Sequence, residues 1–505
     1  MTVELPRPAL LDLPGVRAQV GDIAADLTAG LNCLWLLPDQ LVDTGQAEEL
    51  FRTVLHSMPD RLDVSPPTVL AVPAPRGPGL QAAVGQAVAS GEAPWTPDDG
   101  EAWGDLPDLD FDDGFDIGWS GTGPVRTAGP AVRDRAVPEL FERLGKELAV
   151  GPSEVVTQLS DPGQRWRPVI GLRAWAEPDD AGQGLGVAVV RGGAVQRLFH
   201  SLSAAVKDAG LPPQARPRLL VVARLGDVPA ALINELDRDI ATSAVHWWWG
   251  TIGRLDTATV VAADRERGPA GTVRRRVLAA VREEVVTELA AFDLVLARRL
   301  AGAWDGKADR LGFVLRSCLD GDMIDRVGAC PRAALEAGTQ RRPGSRIRSA
   351  WALGLVQSWE GRLRRHPAAW YAEGASEATT ELQLLVGQAQ QRVLFPWVED
   401  TRERLARLGI RYASRPLEAM VEAYAERPPA NYRTHPEKAF EQLEVGALLT
   451  ACYAGALALP DEELRLLKEL VKVRNILAHR GALHDATLGA LCDELALAHR
   501  RWVQL

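Results

Sequence analysis

Cysteine is scarce in this chain: Cys33, Cys318, Cys330, Cys452 and Cys492 lie far apart with no C-x-x-C pair, and the eight histidines are equally scattered. No zinc site of ordinary ligand spacing is expected, no cofactor is implied, and the thiols read as reduced core side chains. Long hydrophobic runs are missing as well. The longest, "GALLTACYAGALALP" at 446–460, falls short of the roughly 18 to 20 residues that cross a bilayer and reads as a buried helix. The opening "MTVELPRPALLDLPG" has no basic start followed by an apolar run, so a secretory leader is not expected and the cytoplasm is the expected compartment. Lysine is rare too. Arginine outnumbers it by about 51 to 6, which beside abundant alanine, glycine and proline reads as compositional bias and not as a nucleic-acid signature.

Several catalytic signatures are also lacking. A phosphate-cradling P-loop needs G-x-x-x-x-G-K-[ST] after a strand, and "GKE" at 145 and "GKA" at 306 follow none. The segment "LWLLPDQLVDTGQAEELF" has the layout of strand, loop and helix, but its loop offers a proline and an acid in place of glycine and lysine. The glycines Gly182, Gly184 and Gly186 precede a strand pattern instead of opening a helix, which suits a tight turn and not a dinucleotide site. G-x-S-x-G and H-E-x-x-H do not occur.

What is present is an ordinary globular mixture, 46% hydrophobic and 25% charged over 505 residues, with a net charge of −10. Two to four domains are expected from that length. The charge is uneven: about −14 falls in residues 1–150, leaving about +4 for the rest, so any polyanion would meet the later part. Short β-rich runs recur early, at 32–38, 68–75, 168–177, 186–193, 218–225 and 257–265, with helical patterns such as "AEELFRTVLHSM" (47–58) between some of them. That is an α/β arrangement, and the glycine-flanked stretch around 181–199 adds a hairpin and a mixed sheet. From about residue 270 the strand signals stop and the second half reads as all-α. The expected division is a mixed α/β sensor or docking domain at 1–266, resembling a degenerate NTPase if it derives from one, a helical connector at 267–372, and a helical domain at 373–505.

Two segments stand apart. "PDDGEAWGDLPDLDFDDGFDIGW" (97–119) is acidic with interleaved aromatics. Asp113 stands where a calcium loop needs glycine and Trp119 where it needs a bidentate glutamate, so a solvated insertion is expected, with partner docking as the exception. In "HWWWG" (246–250) three adjacent tryptophans cannot all face one side, and core packing is the expected use.

The chemistry gathers at "PDEELRLLKELVKVRNILAHRG" (460–481). Asp461 suits a cap, Glu462 and Glu463 suit the positive helix end, and Gly481 suits left-handed termination. An apolar stripe through Leu464, Leu467, Leu470, Val471, Leu477 and Ala478 has Arg474 at the intervening position, which predicts a guanidinium turned toward a packed surface and in need of a partner such as Asp485, Asp493 or Glu494. A second stripe aligns Lys468, Lys472, Asn475 and His479, a face suited to a phosphodiester. The helix dipole favours the charged form of His479 and the lysines oppose it, a balance suited to proton transfer.

With Arg474, Asn475 and His479 in the order R-N-x3-H, the "LAHRG" ending and a preceding apolar helix at 440–459, the last 130 or so residues resemble the HEPN domains. The resemblance implies a helical bundle with R-x4-H as its site and metal-independent endoribonuclease activity shared across a two-fold axis between two protomers. Arg474, Asn475 and His479 would be catalytic, and Lys468, Lys472 and Arg480 would contact RNA. It further implies a homodimer and a regulated effector, possessing a protein partner, of a bacterial toxin or antiviral defence system. The basic runs "RRPGSRIR" (341–348) and "GRLRRHP" (361–367) would feed RNA toward the site or serve as solvated ends. The alternative is a scaffold or adaptor whose helical bundle dimerises without cleavage and whose α/β domain docks a partner.

Overall fold

The computed structural model describes residues 8–67, 139–178, 191–263, 271–319, 321 and 342–503. The acidic segment at 97–119, the β-rich run at 68–75, the three clustered glycines and Cys330 lie outside the described residues.

The fold is mixed α/β with a parallel sheet and is mostly helical. Helix α1 (Pro14–Ala29) leads into strand β1 (Asn32–Leu37), and β2 (Arg61–Asp63), β3 (Val169–Arg173), β4 (Arg218–Arg224) and β5 (Ser243–Trp247) complete a sheet of order β2-β3-β4-β1-β5. Every pairing in it is parallel, with Cys33 of β1 opposite Leu220 of β4 and Ala244 of β5. The hairpin read around 181–199, and the mixed sheet it would make, lie largely outside the described residues; where the description resumes, the chain turns at Gly192 and runs as helix α3 (Gly193–Asp208). β1 and β3 are buried along their whole length. Since alternate side chains point to opposite faces, both faces of the sheet are covered there, which explains continuous apolar runs in place of alternation. α1 packs on β1 and β4, and α2 (Gln46–Ser57) packs on β3 and β4.

Two expectations are corrected. Of the run at 257–265, the described part, 257–263, is not a strand but the body of helix α5 (Arg254–Ala263), which follows α4 (Ala230–Arg238). Its β-branched Thr257, Val260 and Val261 are buried at helical spacing, and Asp256 holds the start of the helix by accepting from Gly253 N at 2.8 Å. Packing thereby overrides β-propensity. The fifth strand comes instead from "SAVHW", part of the tryptophan cluster. Trp247 and Trp248 are buried; Trp248 tilts against Trp35 at 6.3 Å and Trp247 meets Trp351 edge-on at 5.1 Å. Core packing is their use.

The second half is not all-α. Strands β6 (Val356–Trp359) and β7 (Arg362–Arg365) form an antiparallel hairpin. Its turn puts both Glu360 (φ 53°) and Gly361 (φ 71°) in the left-handed region, as a tight two-residue turn demands. The hairpin is fastened to the sheet by Gln357, whose Nε2 donates to Trp248 O at 2.8 Å and whose Oε1 accepts from Gly250 N at 3.1 Å.

Helix α6 (Val273–Ala290) packs against α5, α7 (Leu294–Ala303), the 35-residue α8 (Ala375–Gly409) and the closing helix of the chain. Near its end Glu288, almost fully buried, receives Arg254 from α5, Arg364 from β7 and Arg392 from α8. Burial pulls the Arg364 guanidinium down to about 10, still charged at neutral pH. The apolar cluster is contiguous from Leu10 to Ala498 among the described residues. In the last part, α9 (Val445–Tyr453) and α10 (Asp461–Ala478) lead to α11 (Asp485–Val503), with α10 lying against α8, α9 and α11. The apolar helix read at 440–459 is two pieces, Pro436–Glu441 and Val445–Tyr453. No helix among the described residues is long and apolar enough to cross a membrane.

Candidate functional site

α10 forms where the sequence reading put it, with acids in its first turn, but two details of its ends differ. Its N-cap is Pro460 with no side-chain cap, and Asp461 is already the first helical residue. At the other end the left-handed residue is Arg480 (φ 59°), not Gly481. Arg480 N donates to Leu477 O and Gly481 N to Ile476 O, both at 3.0 Å. This is a Schellman turn in which an arginine occupies the position that usually holds glycine.

The buried side of α10 is Glu463, Leu466, Leu467, Leu470, Val473 and Leu477. That stripe shares Leu467, Leu470 and Leu477 with the one read in the sequence but is rotated toward Leu466 and Val473, away from Leu464, Val471 and Ala478. The rotation moves Arg474 out of the packed surface: its side chain is 45% exposed and its Nη2 meets Glu444 Oε2, at the start of α9, at 3.2 Å. The partners expected for it are engaged elsewhere. Asp485 accepts from Ala308 N at 3.1 Å, Asp493 pairs with Arg274, and Glu494 lies 3.6 Å from Arg465.

The second stripe is as expected. Lys468, Lys472, Asn475 and His479 are all exposed, with Arg480 beside them. Arg474 Nη1 reaches Asn475 Oδ1 at 3.5 Å, so the arginine and the amide act as neighbours on one surface. Lys472 pairs with Glu469 at 3.5 Å. The six residues singled out in the sequence therefore share the exposed side of one helix and its terminal turn.

What holds that turn came from a helix that sequence reading passed over. Gly387 of α8 lies against it so closely that a Cβ there would stand 3.1 Å from Arg480 O and 3.2 Å from Gly481 O. One turn further along α8, buried Gln390 spans the backbone of Leu483: Leu483 N donates to Oε1 at 2.6 Å and Nε2 donates to Leu483 O at 3.1 Å. The histidine turn is thus clamped on the same helix that carries Arg392 into the Glu288 network. The one local signal in the sequence was a glutamine on the stripe of Val386, Ala389 and Leu394.

Four arginines of the basic runs serve the fold. Arg342 pairs with Asp237, Arg348 lies 5.0 Å over the Trp247 ring, Arg364 donates to Glu288 O, and Arg365 pairs with Glu373. At the carboxyl ends of β3 and β4, where open α/β sheets place ligands, the arginines are likewise committed to ion pairs. Arg173 is held by Glu48 at 2.6 Å and Asp63 at 2.5 Å, and Arg224 by Asp227 at 3.1 Å. At the exposed end of α10, Arg474 and Lys472 each have one carboxylate partner, while Asn475, His479 and Arg480 face solvent. No protein-family model, no curated protein and no solved structure matches the chain.

Proposed function

We propose that the protein is a regulated, metal-independent endoribonuclease of the cytoplasm. Residues 373–505 would act as a HEPN-like bundle that cuts RNA as a homodimer, and the α/β part would receive the signal of a bacterial toxin or antiviral defence system. The observation that carries the reading is the grouping of Arg474, Asn475 and His479 at the exposed end of α10, on a turn clamped by Gly387 and Gln390. Gln390 pairs the buried backbone of Leu483 and so fixes the path of the turn that presents His479, as a proton-transfer group requires.

In this reaction a ribose 2′-oxygen attacks the adjacent phosphorus. The O–P bond to the 2′-oxygen forms, the bond to the 5′-oxygen of the next nucleotide breaks, and a 2′,3′-cyclic phosphate remains. His479 takes the 2′-hydroxyl proton or delivers one to the departing oxygen, the two protomers supplying one imidazole each. Arg474 stabilises the charge on the phosphoryl oxygens, with Asn475 orienting it. Lys468, Lys472 and Arg480 hold the flanking phosphates.

One observation favours a second reading. Arg474 is already paired with Glu444, as it would be in a bundle that dimerises without cutting. Incubating the purified protein with total and transfer RNA in EDTA, beside His479→Ala and Arg474→Ala, separates the two. Cyclic phosphate ends lost in both variants, with the dimer intact by light scattering, support the nuclease. Uncut RNA together with a dimer that dissociates in Arg474→Ala supports the scaffold.

A further inference from the structure

The exposed face of α10 does not end at the motif. α9 runs antiparallel to α10, so that Glu444 at its start meets Arg474 while Tyr453 at its end meets Lys468. Tyr453 is 70% exposed, a large aromatic ring left in solvent, and the Lys468 ammonium sits 5.8 Å over it. An exposed aromatic beside a line of cations is the arrangement by which single strands are held without sequence readout: bases stack on the ring and phosphates meet the cations.

We propose that Tyr453 is a base-stacking platform for single-stranded RNA, lying upstream or downstream of the bond cut at His479; this rests on the nuclease reading. The eleven steps from Lys468 to His479 extend about 16 Å along the helix at about 1.5 Å each. At about 3.4 Å per stacked nucleotide that is room for roughly five nucleotides, and fewer if the strand is extended. A duplex cannot use the platform, because its bases are already stacked on each other. The substrate class is therefore unpaired RNA, a loop or an open strand, with one base on Tyr453, phosphates along Lys468 and Lys472, and the scissile phosphate at Arg474 and His479. Charge complementarity favours this occupant: the face carries Lys468, Lys472, Arg474 and Arg480 against Glu444 and Glu469.

The test uses the full-length chain carrying His479→Ala, so that binding is read without cleavage, and a short mixed-sequence single-stranded RNA bearing one 2-aminopurine, with the same sequence as a duplex for comparison. Adding Tyr453→Ala is expected to weaken single-strand binding by about five- to a hundredfold, to abolish the 2-aminopurine quench, and to leave duplex binding unchanged. Adding Tyr453→Phe, which keeps the ring, is expected to bind as the parent does. Equal single-strand affinity in the alanine variant overturns the platform, as does a dimer that falls apart on that change, which would make Tyr453 a contact between copies. The failures are separable. Quenching lost with Tyr453→Ala, while the parent leaves RNA uncut in EDTA, keeps the platform and removes the nuclease. Cleavage with an unaltered KM in Tyr453→Ala keeps the nuclease and removes the platform.

Discussion

Replacing Gln390 by leucine tests whether the turn that presents His479 is held from α8. The side chains are similar in size, so the change removes two hydrogen bonds, at 2.6 Å and 3.1 Å, without opening a large cavity. It leaves the N–H and C=O of Leu483, a residue 2% exposed, without partners in an apolar setting. Each of the two orphaned backbone groups costs about 1–3 kcal/mol, and the added apolar burial returns about 1 kcal/mol, so the net loss is about 1–5 kcal/mol. Much of it should appear as local opening, since the turn lies at the end of its helix. Hydrogen exchange at the Leu483 amide is the direct assay: a loss of 2 kcal/mol corresponds to about thirtyfold faster exchange under native conditions. Cleavage of RNA should fall in the same variant through kcat, because His479 is no longer held, with KM little changed. A Leu483 amide as well protected as in the parent would refute the clamp, whatever happens to activity.

Three other changes follow from the same geometry. Arg480→Gly relieves a left-handed arginine and should raise stability by about 1 kcal/mol in urea unfolding while weakening RNA binding, since it removes a cation from the face; unchanged or lower stability would show the turn to be unstrained. Glu288→Ala removes the carboxylate shared by Arg254, Arg364 and Arg392, leaving Glu284 for Arg254 and Arg392, and should cost about 3 kcal/mol, with a loss below about 1 kcal/mol arguing that Glu284 and solvent already compensate the cluster. The third is a pH dependence at Asp293. Burial alone would raise its carboxyl, but the hydrogen bond from His366 and those from the Leu296 and Val295 amides outweigh that and hold it below the usual carboxylate range. A carboxyl lowered in the folded state stabilises above its unfolded pKa, about 3.9, and loses that contribution as the pH falls through its folded value. Asp293→Asn should therefore flatten the acid limb of the stability curve below about pH 4, and an acid limb as steep as the parent's would show that other carboxylates govern it.

The helix at 461–478 and the strands β1, β3 and β4 were legible because each is long or strongly patterned and bounded by turn residues. α5 was misread because Thr257, Val260 and Val261 satisfy both a strand and one buried helix stripe, and local pattern cannot choose between them. β5 was missed for a related reason, its tryptophans being explained only by Trp35 and Trp351, which are distant in sequence. At the site, the residues of the exposed stripe were readable from spacing alone. The rotation that puts Arg474 in solvent was not, because Leu464 and Leu466 are equally apolar and only the neighbouring helices decide which of them faces inward. Spacing by itself thus determined which side chains share a surface, a consequence of helical geometry. Tertiary structure decided that Glu444 meets Arg474, that Tyr453 joins the face, and that Gly387 and Gln390 hold the turn. Those contacts join residues between about 15 and 95 positions apart along the chain, and contacts of that range arise only when the helices pack.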